Sequence, residues 1–165
     1  MDYDVIVIGA GAAGLTAAMY TARKKLKTLV ISLNVGGQTN LTAHIENYPG
    51  FASISGFELM QKFEEQTVQF GAEIIKGKVT AVFKEQDGFK VALSDDASHI
   101  CRALIITSGK IPRTLNVPGE EKFFGKGVST CATCDGPLFA GKTIAMVGGN
   151  TIAIEEALEL ANTAG

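Results

Sequence analysis

The chain has 165 residues, of which 46% are hydrophobic and 19% charged, with a formal net charge of -2 at pH 7. That length is enough to bury a sizeable core, and the composition is that of a soluble globular protein rather than a disordered or membrane-spanning one. The mildly acidic balance speaks against a nucleic-acid partner, because phosphate binding needs a basic face.

Residues 3–8 form a short apolar, β-branched run that predicts a strand buried on both faces. Gly9-Ala10-Gly11-Ala12-Ala13-Gly14 follows directly, and an Ala-rich helix is predicted over 15–25. The apolar stretch 5–19 could imitate a signal peptide, but Asp2 and Asp4 stand where basic residues belong and the glycines interrupt it. Without a leader, three cysteines place the chain in a reducing compartment, with the cytoplasm as the default. The only basic cluster, Arg23-Lys24-Lys25 with Lys27, reads as a solvated helix end favoured by the C-terminal dipole.

A second buried strand over 28–31 makes the opening a βαβ unit with a parallel sheet. Residues 33–55 read as a loop punctuated by Gly36-Gly37 and Pro49-Gly50, long enough to be functional rather than a connector. An amphipathic helix is predicted over 56–70, with Phe57, Met60, Phe63, Val68 and Phe70 as its apolar face and Gly71 as C-cap. Residues 78–84 and 89–93 flank an Asp87-Gly88 turn and predict a hairpin. Short strands are expected at 99–102 and, buried, at 103–107. Residues 111–127, with Pro112 and Pro118, read as a linker. A second strand at 142–147 and a helix at 151–161 repeat the opening pattern, so the chain reads as two nucleotide-type domains with the second cut short.

Gly-x-Gly-x-x-Gly between a buried strand and a helix is the context that raises this motif above chance. The first Gly permits the tight turn, the second lets the backbone approach a pyrophosphate, and the third lets helix pack on strand. The anion then rests on free N–H groups at the positive end of the helix. The acid that should meet the ribose at the end of the second strand is missing; Ser32 stands there, followed by Leu33 and Asn34. A hydroxyl binds ribose more weakly than a carboxylate. The fingerprint alone separates neither FAD from NAD.

Cys131-Ala132-Thr133-Cys134-Asp135-Gly136 carries the second chemistry. Two cysteines at this spacing form a small-ring disulfide that opens readily, and a thiolate there is favoured by nearby N–H dipoles. Asp135 is placed to give and take the proton. A zinc half-site would need two more ligands, and only Cys101, His44 and His99 remain, none at paired spacing. A purely structural disulfide is the other alternative, disfavoured without a secretory signal. Cys101 reads as a packed small hydrophobe, and His44 as a polar loop residue.

Gly36-Gly37-Gln38, the segment Ile45-Glu46-Asn47-Tyr48-Pro49-Gly50, the run Ala103 through Gly109, Val117-Pro118-Gly119-Glu120 and the Cys-Ala-Thr-Cys-Asp-Gly together resemble the low-molecular-weight thioredoxin reductase family, with the alkyl hydroperoxide reductase flavoprotein subunit as a relative. The resemblance covers essentially the whole chain in the family's order. It implies an α/β fold in which a three-layer Rossmann-type FAD domain, residues 1–112, is followed by the truncated start of an NAD(P)-binding-type domain, residues 113–165. FAD would be held by Gly9, Gly11, Ala12, Ala13 and Gly14, by Ser32, Gly36, Gly37 and Gln38, and by Asn47, Val79, Thr107, Ser108 and Gly109. Cys134 would face the flavin, Cys131 would attack a thioredoxin disulfide, and Asp135 would act as acid and base. A homodimer is implied on the same ground.

For NADPH the family has Gly-x-Gly-x-x-Ala, at Gly148-Gly149-Asn150-Thr151-Ile152-Ala153 in this chain, so Asn150 replaces the second Gly. Either a small shift of the loop tolerates it, or the electrons come from ferredoxin and not from NADPH. A non-catalytic flavin-binding redox module is the remaining alternative. The missing remainder of the FAD domain implies a longer protein, of which this chain alone would bind FAD poorly.

Overall fold

The computed structural model describes residues 1–162. The chain divides into two compact units, Met1–Lys110 and the residues from Ile111 onward. The span 113–165 expected for a second domain ends on residues 163–165, which lie outside the described residues.

In the first unit, β1 (Tyr3–Ala10), α1 (Ala12–Arg23) and β2 (Thr28–Val35) form the expected parallel βαβ. α2 (Gly56–Gln69) crosses over to β3 (Glu73–Lys76), and β4 (Val79–Glu85), β5 (Gly88–Leu93) and β6 (Ser98–Ile106) complete a six-stranded sheet of order β3-β2-β1-β6-β5-β4. The strands β3, β2, β1 and β6 run parallel, whereas β5 pairs antiparallel with both β6 and β4. This is a mixed α/β sheet with Rossmann-like order.

Side chains of a strand alternate between faces, and β1 and β2 are apolar on both. Val5, Val7 and Val30 pack with Leu15, Ala18 and Ala22 of α1 on one face. Ile6, Leu29 and Ile31 pack with Val91, Leu93 and Cys101 on the other, a cluster built from strand residues alone. Each such side chain contributes about 1.5–3 kcal/mol on burial, so the two central strands anchor the unit. Thr67 of α2 ties the helices together, its hydroxyl donating to the Leu15 carbonyl at 3.0 Å.

Four expectations need correction. Residues 33–55 are not simply loop: β2 continues to Val35, Gly37–Leu41 forms a 3-10 turn, and Ile45 bridges Ile54. β2 extends because Val35 pairs with Ala10 at the end of β1, while β3, too short and polar to stand out in the sequence, flanks only Leu29 through Ser32. The strands expected at 99–102 and 103–107 are one strand, β6, half antiparallel to β5 and half parallel to β1, and Ala103 and Ile106 are exposed rather than buried. The buried face of α2 is Leu59, Met60 and Thr67 with Phe63 packed beside them, while Phe57, Val68 and Phe70 are exposed.

The second unit holds α3 (Glu120–Phe123), α4 (Ala132–Asp135), a 3-10 turn (Gly136–Phe139) and α5 (Thr151–Leu160). The strand expected at 142–147 does not form, and Met146 and Val147 are exposed. A strand exists by its ladder, and no described residue of this unit pairs with it. Among the described residues no helix is long and apolar enough to cross a membrane.

Candidate functional site

Strand order reverses at β1, which has β2 on one side and β6 on the other. In an open parallel sheet the crevice beyond the carboxyl ends of the strands at such a point is the ligand position. Three segments singled out in the sequence converge there.

The first is the glycine turn after β1. Gly9 has φ +105°, and a Cβ on it would stand 2.3 Å from the Thr107 carbonyl oxygen. A Cβ on Gly14 would stand 1.9 Å from the Gly9 carbonyl oxygen. Packing therefore demands both glycines. Gly11 differs: its φ of -76° suits any residue, and nothing lies within 4 Å of its would-be Cβ. The fold gives no reason for a glycine there, whereas a ligand approaching the backbone does. Gly11 is also the N-cap of α1, makes no side-chain cap, and is followed by no acidic residue in the first turn. The N–H groups opening α1, at Ala12, Ala13 and Gly14, thus face an open seat fit for an anion.

The second segment is the loop after β2. The Gly36 N–H donates to the Ala10 carbonyl at 2.7 Å, drawing this loop onto the glycine turn, and a Cβ on Gly37 would stand 3.7 Å from the Gly11 Cα. Gln38 Nε2 donates to the Lys110 carbonyl. Asn40 Nδ2 donates to the Val35 carbonyl at 2.7 Å, but Asn40 Oδ1 is buried without a partner. Such an acceptor costs about 1–3 kcal/mol and marks a place where a donor belongs. Asn40 was not singled out in the sequence, where nothing separates it from any other loop asparagine.

The third segment follows β6. Thr107 Oγ1 donates to the carbonyls of Ile8 at 2.8 Å and Gly9 at 3.1 Å, and Ser108 and Gly109 lie exposed beyond it. Three expected residues are not drawn into this cluster. Ser32 donates its hydroxyl to the Asn34 carbonyl at 2.7 Å, so its one hydrogen is engaged. Asn47 lies exposed in the segment bridged by Ile45 and Ile54. Val79 packs in the strand cluster with Ile6 and Leu93. The uncapped helix, the unfilled space at Gly11 and the orphaned Asn40 oxygen fit a dinucleotide such as FAD.

In the second unit Cys131 and Cys134 are joined by a disulfide, with Cα atoms 5.3 Å apart. Cys131 is the N-cap of α4, whose single turn holds the second cysteine and Asp135. Ser129 closes the group. Its Oγ donates to Asp135 Oδ2 at 2.5 Å and accepts the Cys131 N–H at 3.0 Å, while the Asp135 N–H donates to the Cys131 carbonyl at 3.2 Å. Thr133, between the cysteines, donates its hydroxyl to Glu159 of α5 at 3.1 Å. Cys101 has no part in this chemistry: it is fully buried, and burial pushes its thiol up. Among the described residues no group of three metal-ligating side chains occurs.

The second fingerprint is built differently from the first. Gly148 is required, because a Cβ on it would stand 2.6 Å from the Ala153 Cβ, and Gly149 faces open space. Asn150 is the N-cap of α5, and its Oδ1 accepts the Ala153 N–H at 3.0 Å. The side chain thus consumes an amide that a pyrophosphate would use, at the place where Gly11 leaves the corresponding end of α1 open. A pyridine dinucleotide does not fit here as FAD fits the first seat.

A family model described as "Pyridine nucleotide-disulphide oxidoreductase" matches residues 3–165. The chain is 45% identical over 161 residues to the thioredoxin reductase of Treponema pallidum (strain Nichols), covering 96% of this chain and 52% of that one. It is 46% identical over 159 residues to the thioredoxin reductase of Bacillus subtilis (strain 168), covering 96% and 50%. The crystal structure of thioredoxin reductase from Streptococcus pyogenes MGAS5005 superposes with a TM-score of 0.92 at 44% identity, over 98% of this chain and 53% of that one. The chain spans about half the length of the curated relatives it matches.

Proposed function

Because this chain belongs to the pyridine nucleotide-disulphide oxidoreductase family, we propose that the full-length protein is a flavin-dependent disulfide reductase acting on thioredoxin or a thioredoxin-like protein. The observation that carries this reading is the Cys131–Cys134 disulfide with Asp135 hydrogen-bonded into the same turn. The relatives named thioredoxin reductase support the choice of substrate. Residues 1–112 are proposed as part of the FAD domain and residues from 113 as the start of the second domain, with the cytoplasm and a homodimer as the setting.

Gly9, Gly11, Ala12, Ala13 and Gly14 would hold the FAD pyrophosphate, Gly36, Gly37 and Gln38 its flank, and Thr107, Ser108 and Gly109 its far side. FAD, when bound and reduced, would supply the electron pair that opens the disulfide and the proton that leaves Cys134 as a thiol. Cys134 receives that pair, and Cys131 becomes the thiolate that attacks the substrate disulfide. Its sulfur bonds to one substrate sulfur, the substrate S–S bond breaks, and the leaving sulfur takes a proton from the Asp135 carboxyl. Cys134 then gives its proton to the Asp135 carboxylate and displaces the substrate's second sulfur as a thiolate, restoring the Cys131–Cys134 disulfide. The substrate disulfide gains the two electrons that the dithiol loses.

NADPH is the donor the family suggests, and Asn150 is the one observation that favours a second reading, ferredoxin. Reducing the FAD-loaded full-length protein with dithionite and adding oxidised thioredoxin tests the reductase reading independently of the donor. Thioredoxin thiols are expected in wild type, and a loss of at least about 100-fold in Cys131→Ser and Cys134→Ser; thioredoxin left oxidised by the wild type would make the protein a non-catalytic redox module. Anaerobic mixing with NADPH then separates the donors: flavin bleaching within seconds excludes the ferredoxin reading, and unchanged absorbance supports it.

A further inference from the structure

Ser129 lies two residues outside the Cys-x-x-Cys motif, yet its hydroxyl is bonded to both the carboxylate and the backbone of that motif. We propose that Ser129 is the positioning residue that holds the Asp135 carboxyl at the Cys131 end of the redox turn in both of its protonation states. The inference rests on the disulfide-reductase reading and adds a residue to it.

Three hydrogen bonds close a ring: Ser129 Oγ to Asp135 Oδ2 at 2.5 Å, the Asp135 N–H to the Cys131 carbonyl at 3.2 Å, and the Cys131 N–H to Ser129 Oγ at 3.0 Å. A carboxylate on an exposed turn otherwise samples several rotamers, and ordering it costs free energy. The ring confines it beside the first cysteine. The hydroxyl also has a second acceptor, the Cys131 carbonyl, at 3.3 Å. While Asp135 is ionised, the Ser129 hydrogen points at Oδ2. When Asp135 carries a proton, the carboxyl donates to Ser129 Oγ and the hydroxyl hydrogen turns to the Cys131 carbonyl. The Cys131 N–H donates to Oγ in both arrangements. One O–H rotation therefore lets the acid gain or lose its proton without leaving its place. In the exchange, this proton passes from Asp135 to the leaving substrate sulfur and returns from the Cys134 thiol.

The test uses two disulfides that differ in their need for that proton. The full-length protein is reduced with dithiothreitol, desalted without regard to flavin content, and mixed with hydroxyethyl disulfide or with dithiobis(nitrobenzoate). The aromatic leaving thiolate departs unprotonated, whereas the alkyl one is a poorer leaving group. Ser129→Ala is expected to slow release of the first alkyl thiol about 10-fold and to leave release of the first aromatic thiolate unchanged, with Ser129→Thr restoring the alkyl rate. Equal slowing of both would mean a merely structural serine and would overturn the proposal, as would an unchanged alkyl rate. Asp135→Asn distinguishes the levels. If it slows only the alkyl reaction while Ser129→Ala does not, the acid stands and Ser129 falls; if neither variant slows it, the acid reading fails as well. Ser129 is exposed, so the alanine variant is not expected to perturb folding, and circular dichroism checks it.

Discussion

Gly9 and Gly11 are indistinguishable in a sequence motif, yet they answer to different demands. Gly9→Ala forces a Cβ against the Thr107 carbonyl at positive φ and is expected to cost about 3 kcal/mol in urea unfolding, from strain and overpacking together. Gly11→Ala meets open space; it should cost about 1 kcal/mol or less while sharply lowering FAD content, read as the ratio of flavin to protein absorbance. Asn150 invites the reverse experiment. Asn150→Gly removes the cap at Ala153, which costs only a few tenths of a kcal/mol, and frees that amide for an anion. It is expected to tighten NADPH binding about 10-fold, the worth of a charge-assisted hydrogen bond, as read by calorimetry; unchanged affinity would show that the cap does not govern the seat. At this scale the sequence was legible wherever a residue's role is local, as at Gly9, Gly14, Cys131 and Cys134. It was silent about Ser129 and Asn40, whose roles depend on what folding sets beside them.

At the scale of single elements, the start of α2 is the best-defined case. Ser55 is its N-cap: Ser55 Oγ accepts the Glu58 N–H at 3.2 Å and donates to Glu58 Oε2 at 2.8 Å. The hydrogen bonds that Ser55 donates from its hydroxyl and from its backbone N–H hold the Glu58 carboxyl below its ordinary value of 4.5. A lowered carboxylate stabilises the fold above its unfolded value and loses that contribution as pH falls through the folded one. Ser55→Ala should cost about 1 kcal/mol near neutral pH, and the difference from wild type should shrink as the pH falls below the ordinary carboxylate range; a gap that widens in acid would contradict this assignment. Although its capping box, a local signal, went unread, α2 was placed correctly from its apolar spacing and from Gly71. Its buried face was not, because spacing alone cannot say which of several apolar residues the sheet covers: Leu59 and Met60 are inside and Phe57 is out. β3 escaped notice for a related reason, since four residues of mixed polarity become a strand only through pairing with β2.

For the molecule as a whole, residues 107–117 carry no regular secondary structure, and Ile111 is 92% exposed. Limited trypsin treatment is therefore expected to cut first at Lys110 or Arg113, giving a band that ends at the boundary between the two units. Early cleavage at Lys90 inside β5 or at Arg102 inside β6 would contradict that division. The α/β class, the parallel opening and the glycine turn after β1 were legible because they follow from periodicity and turn chemistry, whereas the strand expected before the second fingerprint did not form. The joining of 99–107 into one strand was not, because it depends on two neighbours of opposite direction. β6 has a further consequence, for synthesis. β1 finds its second neighbour only in β6, where Tyr3 pairs with Cys101, a separation of 98 residues. Translation at roughly 5–20 residues per second leaves one flank of β1 open for about 5–20 s. For that time the nascent chain presents an unsealed apolar edge, and the pace of the ribosome, more than the strength of any contact, sets how long it stays exposed.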